Sequence, residues 1–345
     1  MQVLEQVPLA PYTTFGIGGP ARWFIDASTE DDVSQAVQFA RERDVPLFVL
    51  VGGSNLLVSD AGFPGMVLHI AFKGIEQESL EDVTRFSIAA GEDWDAFVSL
   101  AVGQNCGGIE CLAGIPGSVG GTPVQNVGAY GQEVAETIRL VRVLDLQTLH
   151  FVELSTQECG FAYRRSIFNT SHRGRYIVTR VDYALRNHVD AVFSYSDLKQ
   201  YFKNTAVAPT LSEVSTAVRE IRRLKGMLIV PGDPDCRSAG SFFKNPVIAT
   251  EHFQRIVAGL DGTNVPHYPV PDGQVKIPAA WLLDQAGFHK GYALGRAGIS
   301  SKHTLALINR DRASASDIAA LRDEIIAKVE EKFAIRLEPE PVWVG

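Results

Sequence analysis

No stretch of this sequence is long and apolar enough to cross a bilayer, which takes roughly 20 residues; the longest apolar runs, such as 47–51, are strand-sized. The first twelve residues hold Glu5 and two prolines and lack a basic start followed by an apolar segment, so no secretion signal is expected there. Cysteine is scarce. Cys106, Cys111, Cys159 and Cys236 show no C-x-x-C spacing, and the eight histidines form no paired ligand pattern beside them. Neither a disulfide framework nor a metal site is indicated, and reduced thiols in a chain of this size fit a cytoplasmic address. Positive charge is also in short supply, with 32 Lys and Arg against 40 Asp and Glu and a net charge of −8. That argues against a general nucleic-acid or acidic-membrane binder, so an anionic ligand needs a local basic site.

What is present is an ordinary globular composition, 46% hydrophobic and 21% charged over 345 residues, enough for two or three packed units. Ser28 or Thr29 followed by Glu30, Asp31 and Asp32 starts a helix, and Val33, Ala36, Val37 and Ala40 give it one apolar face. Pro46 ends that pattern. Residues 47–51 then read as a buried strand, 52–55 as a tight turn and 56–58 as a short strand. A second helix starts at Asp93, with Trp94, Phe97, Val98, Ala101 and Val102 on one face. Residues 138–146 and 176–185 are β-rich. Thr210 and Glu213 form a capping-box signature ahead of Leu211, Val214, Val218 and Ile221, where a new unit is expected to begin. Residues 230–238 predict an exposed loop, and two more helices start at Pro278 and near Ser316. The expected class is α+β, with a division near 190–205 and a last strand that returns to the first unit.

Several motifs have a bland reading beside a chemical one. Gly16-Ile17-Gly18-Gly19-Pro20-Ala21 satisfies G-x-G-x-x-G/A, yet no buried strand precedes it and Pro20 disfavours a following helix, so a turn is the better reading. The turn from Gly52 to Leu56 lacks the Gly-Lys-Ser/Thr ending of a triphosphate loop, but its successive N–H groups can cradle a diphosphate. The stretch 115–131 is denser in glycine and amides than a connection requires; it reads as a cofactor cradle, with a buried structural loop as the alternative. Ser241 lies between Gly240 and two phenylalanines without a Gly-x-Ser-x-Gly elbow, which leaves a proton donor in an apolar pocket rather than a hydrolase nucleophile. Arg164 and Glu340 read as exposed charges unless the fold gathers them with Ser241.

In order and in detail, these motifs resemble the UDP-N-acetylenolpyruvoylglucosamine reductases. The resemblance runs through residues 13–21, 51–57, 115–131, 163–168, 240–246, 280–285 and 337–340. It implies an FAD-binding domain of the vanillyl-alcohol-oxidase (PCMH) type in two lobes over 1–190, a mobile substrate loop over 191–204 and a smaller α+β substrate domain over 205–345. It also implies NADPH as hydride donor, noncovalent FAD, no metal, and a cytoplasmic monomer that makes UDP-N-acetylmuramate for peptidoglycan.

By the same resemblance Ser241 is the proton donor, while Arg164 and Glu340 hold the enolpyruvyl carboxylate. FAD falls to Gly52, Gly53, Ser54, Asn55 and Leu56, to Ile115, Gly117, Ser118, Gly120, Gly121, Thr122, Gln125, Asn126, Gly128 and Ala129, and to Arg222 near its phosphates. Tyr163, Tyr195, Lys225, Asn245, Lys276 and Gln285 fall to the sugar nucleotide, with Tyr195 on a closing loop. Two features depart from the family pattern: the insertion 226–237, and Pro341-Val342 where many members carry an arginine. The rival expectations are another flavin oxidoreductase, such as an oxidase, and a flavin- or nucleotide-binding regulatory module without turnover.

Overall fold

The computed structural model describes residues 2–260, 264–270 and 272–345. The chain divides into two compact units that interleave in sequence: one holds the segment through Pro8, Pro20–Gly53 and Phe63–Leu224, the other Leu9–Gly19, Ser54–Gly62 and Lys225–Gly345.

In the first unit a four-stranded sheet runs in the order Leu4–Pro8, Pro20–Ala27, Phe63–Ile70, Leu47–Leu50, antiparallel at the first pair and parallel at the other two. The helix Glu30–Glu42 makes the crossover. Thr29 caps it in a capping box with Asp32, and the expected face of Val33, Ala36, Val37 and Ala40 is buried. The Leu47–Leu50 strand is only partly buried along its first three residues. A second, antiparallel sheet runs His150–Ser155, Ile138–Asp145, Tyr176–Asn187, Val83–Ala89, Ile75–Ser79. On Tyr176–Asn187 the alternation of Ile177, Thr179, Val181, Tyr183 and Leu185 is buried, as a two-residue period against a core requires. Trp94, Phe97, Phe86 and Tyr183 form one aromatic cluster. Burial pushes the Tyr183 phenol up, and its oxygen lies 2.6 Å from the Thr122 hydroxyl.

The helix Leu211–Leu224, capped by Thr210 and Glu213, belongs to this first unit, where it packs on the helix Trp94–Gly103. A start of the C-terminal part at 205 is therefore moved to 225. Apolar periodicity shows that Leu211, Val214, Val218 and Ile221 are buried but not which unit buries them.

The second unit holds two three-stranded sheets, Val247–Ala249, Gln274–Lys276, Tyr268–Val270 and Ala293–Leu294, Ala297–Ile299, Leu307–Asn309. Its helices are Thr250–Ala258, Ala279–Gln285 and Ala315–Phe333. The last strand, Val342–Val344, pairs in parallel with Leu56–Val58, and both belong to this unit. Residues 230–238, expected as an exposed loop, contain the 3-10 turn Pro234–Cys236 with Asp235 and Ser238 buried. Asp235 is drawn inward because its carboxylate accepts the Ser301 N–H at 2.9 Å and the Ser301 hydroxyl at 2.6 Å.

Candidate active site

The glycine-rich stretch of the first unit approaches other backbone closely. A Cβ placed on Gly52 would lie 2.4 Å from Gly117 Cα and 2.4 Å from the Ser118 nitrogen, so the 52–53 turn and the 115–121 stretch touch backbone to backbone. Gly120 is needed beneath Ala90, whose Cβ would stand 2.5 Å away, whereas a Cβ on Gly121 would meet nothing within 4 Å. The Ser118 hydroxyl is buried and, among the described residues, has no hydrogen-bond partner. Such a group carries a desolvation penalty of about 1–3 kcal/mol unless something arrives to bond it. An orphaned donor beside an open glycine, on a close backbone turn, fits a polar flat cofactor. Ser118→Ala is expected to leave the apoprotein as stable or more so, while weakening FAD two- to tenfold by fluorescence titration.

The other members of the stretch divide by how their side chains are used. Asn126 is buried, donating to Glu133 at 2.7 Å and to the Ala162 carbonyl at 3.1 Å while its oxygen accepts the Ala135 N–H. Those bonds lock the loop and leave the side chain no spare donor for a ligand. Thr122 donates inward, to the Val119 carbonyl at 2.8 Å. Ile115, Gly117, Gln125 and Ala129 are half-buried, and Gly128 is buried. Gly53 is buried with φ +60°.

Arg164 sits at the tip of a tight turn with φ +55°. The Asn169 amide donates to the Arg164 carbonyl at 3.1 Å, and the Arg164 guanidinium donates to the Gly128 carbonyl at 2.7 Å. Tyr163 is exposed beside it, its ring 5.2 Å from the guanidinium carbon. Tyr195 is exposed at the start of the helix Ser196–Tyr201 and packs edge-on against Tyr130 at 5.4 Å. The Tyr130 hydroxyl takes a hydrogen bond from Arg222, whose Nε also donates to the Gly114 carbonyl at 3.1 Å. Burial pushes the Tyr130 phenol up to about 12 against the pull of Arg222, so Tyr130 stays neutral and keeps its proton.

In the second unit the backbone brings together the segments that carry Ser241 and Glu340. Phe242 accepts the Glu340 N–H at 2.8 Å, Phe243 is paired with Pro339, and Lys244 donates to the Glu338 carbonyl at 3.0 Å. Ser241 and Glu340 are therefore one register step apart, both half-buried. The Asn55 amide donates to the Glu340 carbonyl at 3.2 Å, and the Val342 N–H bonds the Asn55 carbonyl at 2.9 Å. These contacts tie Asn55, with its neighbours Ser54 and Leu56, to the Glu340 segment. Asn245 accepts the Ala279 N–H at 2.9 Å and so caps the helix that carries Gln285. Lys276 is half-buried at the end of the strand Gln274–Lys276. Lys225 opens the insertion, which Asp235 and a Lys302–Asp233 ion pair pin to residues 301–302.

His303, which sequence reasoning did not single out, lies close enough to Lys225 to feel its charge. Burial, then Lys225 and Lys290, depresses its imidazole to about 4, and its Nδ1 accepts the Leu305 N–H at 3.0 Å. The carbonyl of the same Leu305 accepts the Phe242 N–H at 2.8 Å, so a neutral His303 supports the segment that carries Ser241. A folded-state value below the unfolded 6.5 means the unfolded chain binds the extra proton. Stability is expected to fall as pH drops from 6.5 towards 4, by no more than about 3 kcal/mol from this group. Urea unfolding at several pH values should show a flatter profile for His303→Asn, whose Oδ1 can still accept the Leu305 N–H.

A family model described as "FAD binding domain" matches residues 21–151, and one described as "UDP-N-acetylenolpyruvoylglucosamine reductase, C-terminal domain" matches 233–344. The UDP-N-acetylenolpyruvoylglucosamine reductase of Thermobifida fusca is 45% identical over 99% of this chain and 98% of its own length. The chain belongs to the UDP-N-acetylenolpyruvoylglucosamine reductase family. A reductase of the same name from Neisseria meningitidis is 38% identical over 97% of this chain and 96% of its own. The crystal structure of UDP-N-acetylenolpyruvylglucosamine reductase from Thermus caldophilus matches over the whole of both chains, at 28% identity and a TM-score of 0.65. The resemblance read from the sequence is thus upheld, as are the α+β class and the FAD-binding domain.

Sequence reasoning missed three residues: Tyr130, Asn169 and His303. Tyr130 lay inside the motif 115–131, where its bulk among glycines was the available signal. Asn169 and His303 act through hydrogen bonds that no residue spacing announces.

Proposed function

We propose that this chain catalyses the NADPH-dependent reduction of the enolpyruvyl group of UDP-N-acetylglucosamine enolpyruvate to UDP-N-acetylmuramate, a step of peptidoglycan precursor synthesis. The observation that carries the reading is the backbone pairing that holds Ser241 and Glu340 in adjacent register, in a chain with an FAD binding domain. The chemistry that bound FAD would supply is hydride transfer between NADPH and the alkene. The 52–56 turn and the 115–129 stretch would hold FAD, with Ser118 as a donor and Arg222 as the cation for its phosphates. In the balance of the reaction a hydride is added at the terminal carbon and a proton at the adjacent carbon, while NADPH becomes NADP+.

Each residue then has a task. Arg164 stabilises the negative charge that builds on the carboxylate side of the substrate as the hydride arrives. Glu340 aligns that group through a shared hydrogen bond. Ser241 delivers the proton to the carbon, which an alcohol can do because the enolate of a carboxylate is a strong base. Tyr163, Tyr195, Lys225, Asn245, Lys276 and Gln285 bind the sugar nucleotide, with Tyr195, at the start of the helix Ser196–Tyr201, closing over the diphosphate. Among the described residues no helix is long and apolar enough to cross a membrane, and a cytoplasmic monomer fits this reading.

Anaerobic stopped-flow absorbance tests it. NADPH alone should bleach the flavin bands, and UDP-N-acetylglucosamine enolpyruvate should restore them within the same mixing series. Bleaching without restoration by the sugar nucleotide, or peroxide formation on admitting oxygen as the main outcome with the substrate present, would show a flavoprotein with another task.

A further inference from the structure

The Gly16–Gly19 turn and the end of the 226–237 insertion are given no role in the reduction proposed above, and they meet inside the second unit. Together with Asp60, Asn309 and Arg312 they line an open cavity of about 340 Å³. Arg237 and Arg312 both reach its wall, and among the described residues neither guanidinium has an ion pair or hydrogen bond. The Asp60 carboxylate also lines the cavity but is engaged elsewhere. One oxygen accepts the Ala315 N–H at 2.7 Å, and the other accepts the Ser316 N–H at 3.0 Å and the Ser316 hydroxyl at 2.7 Å. Burial works against its charge, yet those bonds hold the Asp60 carboxyl below its usual value. It stays ionised at the start of the helix Ala315–Phe333, where a negative charge is favoured. Two free guanidiniums thus face one committed carboxylate, a locally positive site on a chain whose net charge is −8.

The backbone of the wall points the same way. Gly16 has φ +64°, Gly18 φ +147° and Arg312 φ +52°, and left-handed residues of this kind turn N–H groups into a concavity suited to an oxyanion. Among the described residues, neither the Gly18 nor the Arg312 N–H has an acceptor. Arg312 occupies a conformation that favours glycine, so the fold holds a guanidinium at this cavity in spite of its backbone.

We propose that this cavity is a binding site for a small phosphorylated anion, with Arg237 and Arg312 as its paired donors. It shares no residue with those assigned to FAD or the sugar nucleotide. Two guanidiniums suit a phosphoryl group because each offers a planar fork of donors to tetrahedral oxygens. The volume leaves room for an organic substituent beside the phosphoryl group.

Isothermal titration of the FAD-loaded protein at fixed ionic strength, with inorganic phosphate and separately with glucose 1-phosphate, tests the assignment. The variants are Arg237→Gln, which removes an exposed guanidinium, and Arg312→Gly, which removes the other while relieving its backbone. Each should weaken binding at least fivefold with turnover unchanged at saturating NADPH and sugar nucleotide. Tighter binding of glucose 1-phosphate than of phosphate identifies a monoester as the ligand, and equal binding identifies the free ion. No heat from either probe up to 20 mM overturns the proposal. So does binding that survives both arginine variants but disappears in Lys225→Gln, which would place the anion at the residue assigned to the substrate.

Discussion

Ser241→Ala is expected to bind FAD normally, to be bleached by NADPH at the rate of the unaltered protein, and then to stall. Reoxidation by the enolpyruvyl sugar should slow by about 10²–10⁴-fold, the usual contribution of a positioned general acid. The separation of the two half-reactions is the informative part, because nothing in the first requires a proton donor for carbon. Alanine preserves the backbone that matters here: the Phe242 N–H to Leu305 and the Glu340 N–H to Phe242 involve main-chain atoms alone. A loss of the first half-reaction as well would point to a disturbed fold, which the flavin spectrum and thermal midpoint would report. Full reoxidation at the original rate would remove Ser241 from the chemistry. Glu340→Gln supplies the contrast, since a carboxyl that aligns the substrate should affect KM together with kcat rather than kcat alone.

Much of the local structure was legible because its causes are local. Thr29 with Asp32, and Thr210 with Glu213, announce helix starts through bonds that close within four residues. The alternation from Ile177 to Leu185 announces a strand buried on one face. What the sequence could not display is the path between units. Residues 9–19 and 54–62 join the second unit and 211–224 the first, although apolar periodicity looks the same whichever core receives it. The helix face of Leu211, Val214, Val218 and Ile221 is a case in point.

The site divides along the same line. Ser241 and Glu340 come within one register step only because 242–244 pairs with 338–340, a long-range pairing that residue counting did not reach. Asn126 shows the converse. An amide in a glycine-rich loop invites a ligand, yet here Glu133, Ala162 and Ala135 take its bonds, and composition cannot tell the two uses apart.

Gly52→Ala should produce a large structural effect for a single methyl group, and comparison with Gly121→Ala shows what it means. The added Cβ at 52 would lie 2.4 Å from Gly117 Cα and from the Ser118 nitrogen. Neither is the end of a flexible side chain, so two backbone segments must separate by about 1 Å to reach ordinary contact, at a cost of about 3 kcal/mol. The expected protein has a lowered thermal midpoint and purifies with little flavin, read as the ratio of the flavin band to protein absorbance. At 121 the added Cβ meets nothing of the chain within 4 Å, and the apoprotein should melt within a degree or two of the unaltered one. If the open side of Gly121 receives FAD, that same methyl group obstructs the cofactor, and flavin content falls without loss of apoprotein stability. Normal flavin content in Gly121→Ala would move FAD away from this face of the stretch, whereas flavin lost from both variants, with stability lost only at Gly52, would distinguish the residue that shapes the cradle from the one that lines it.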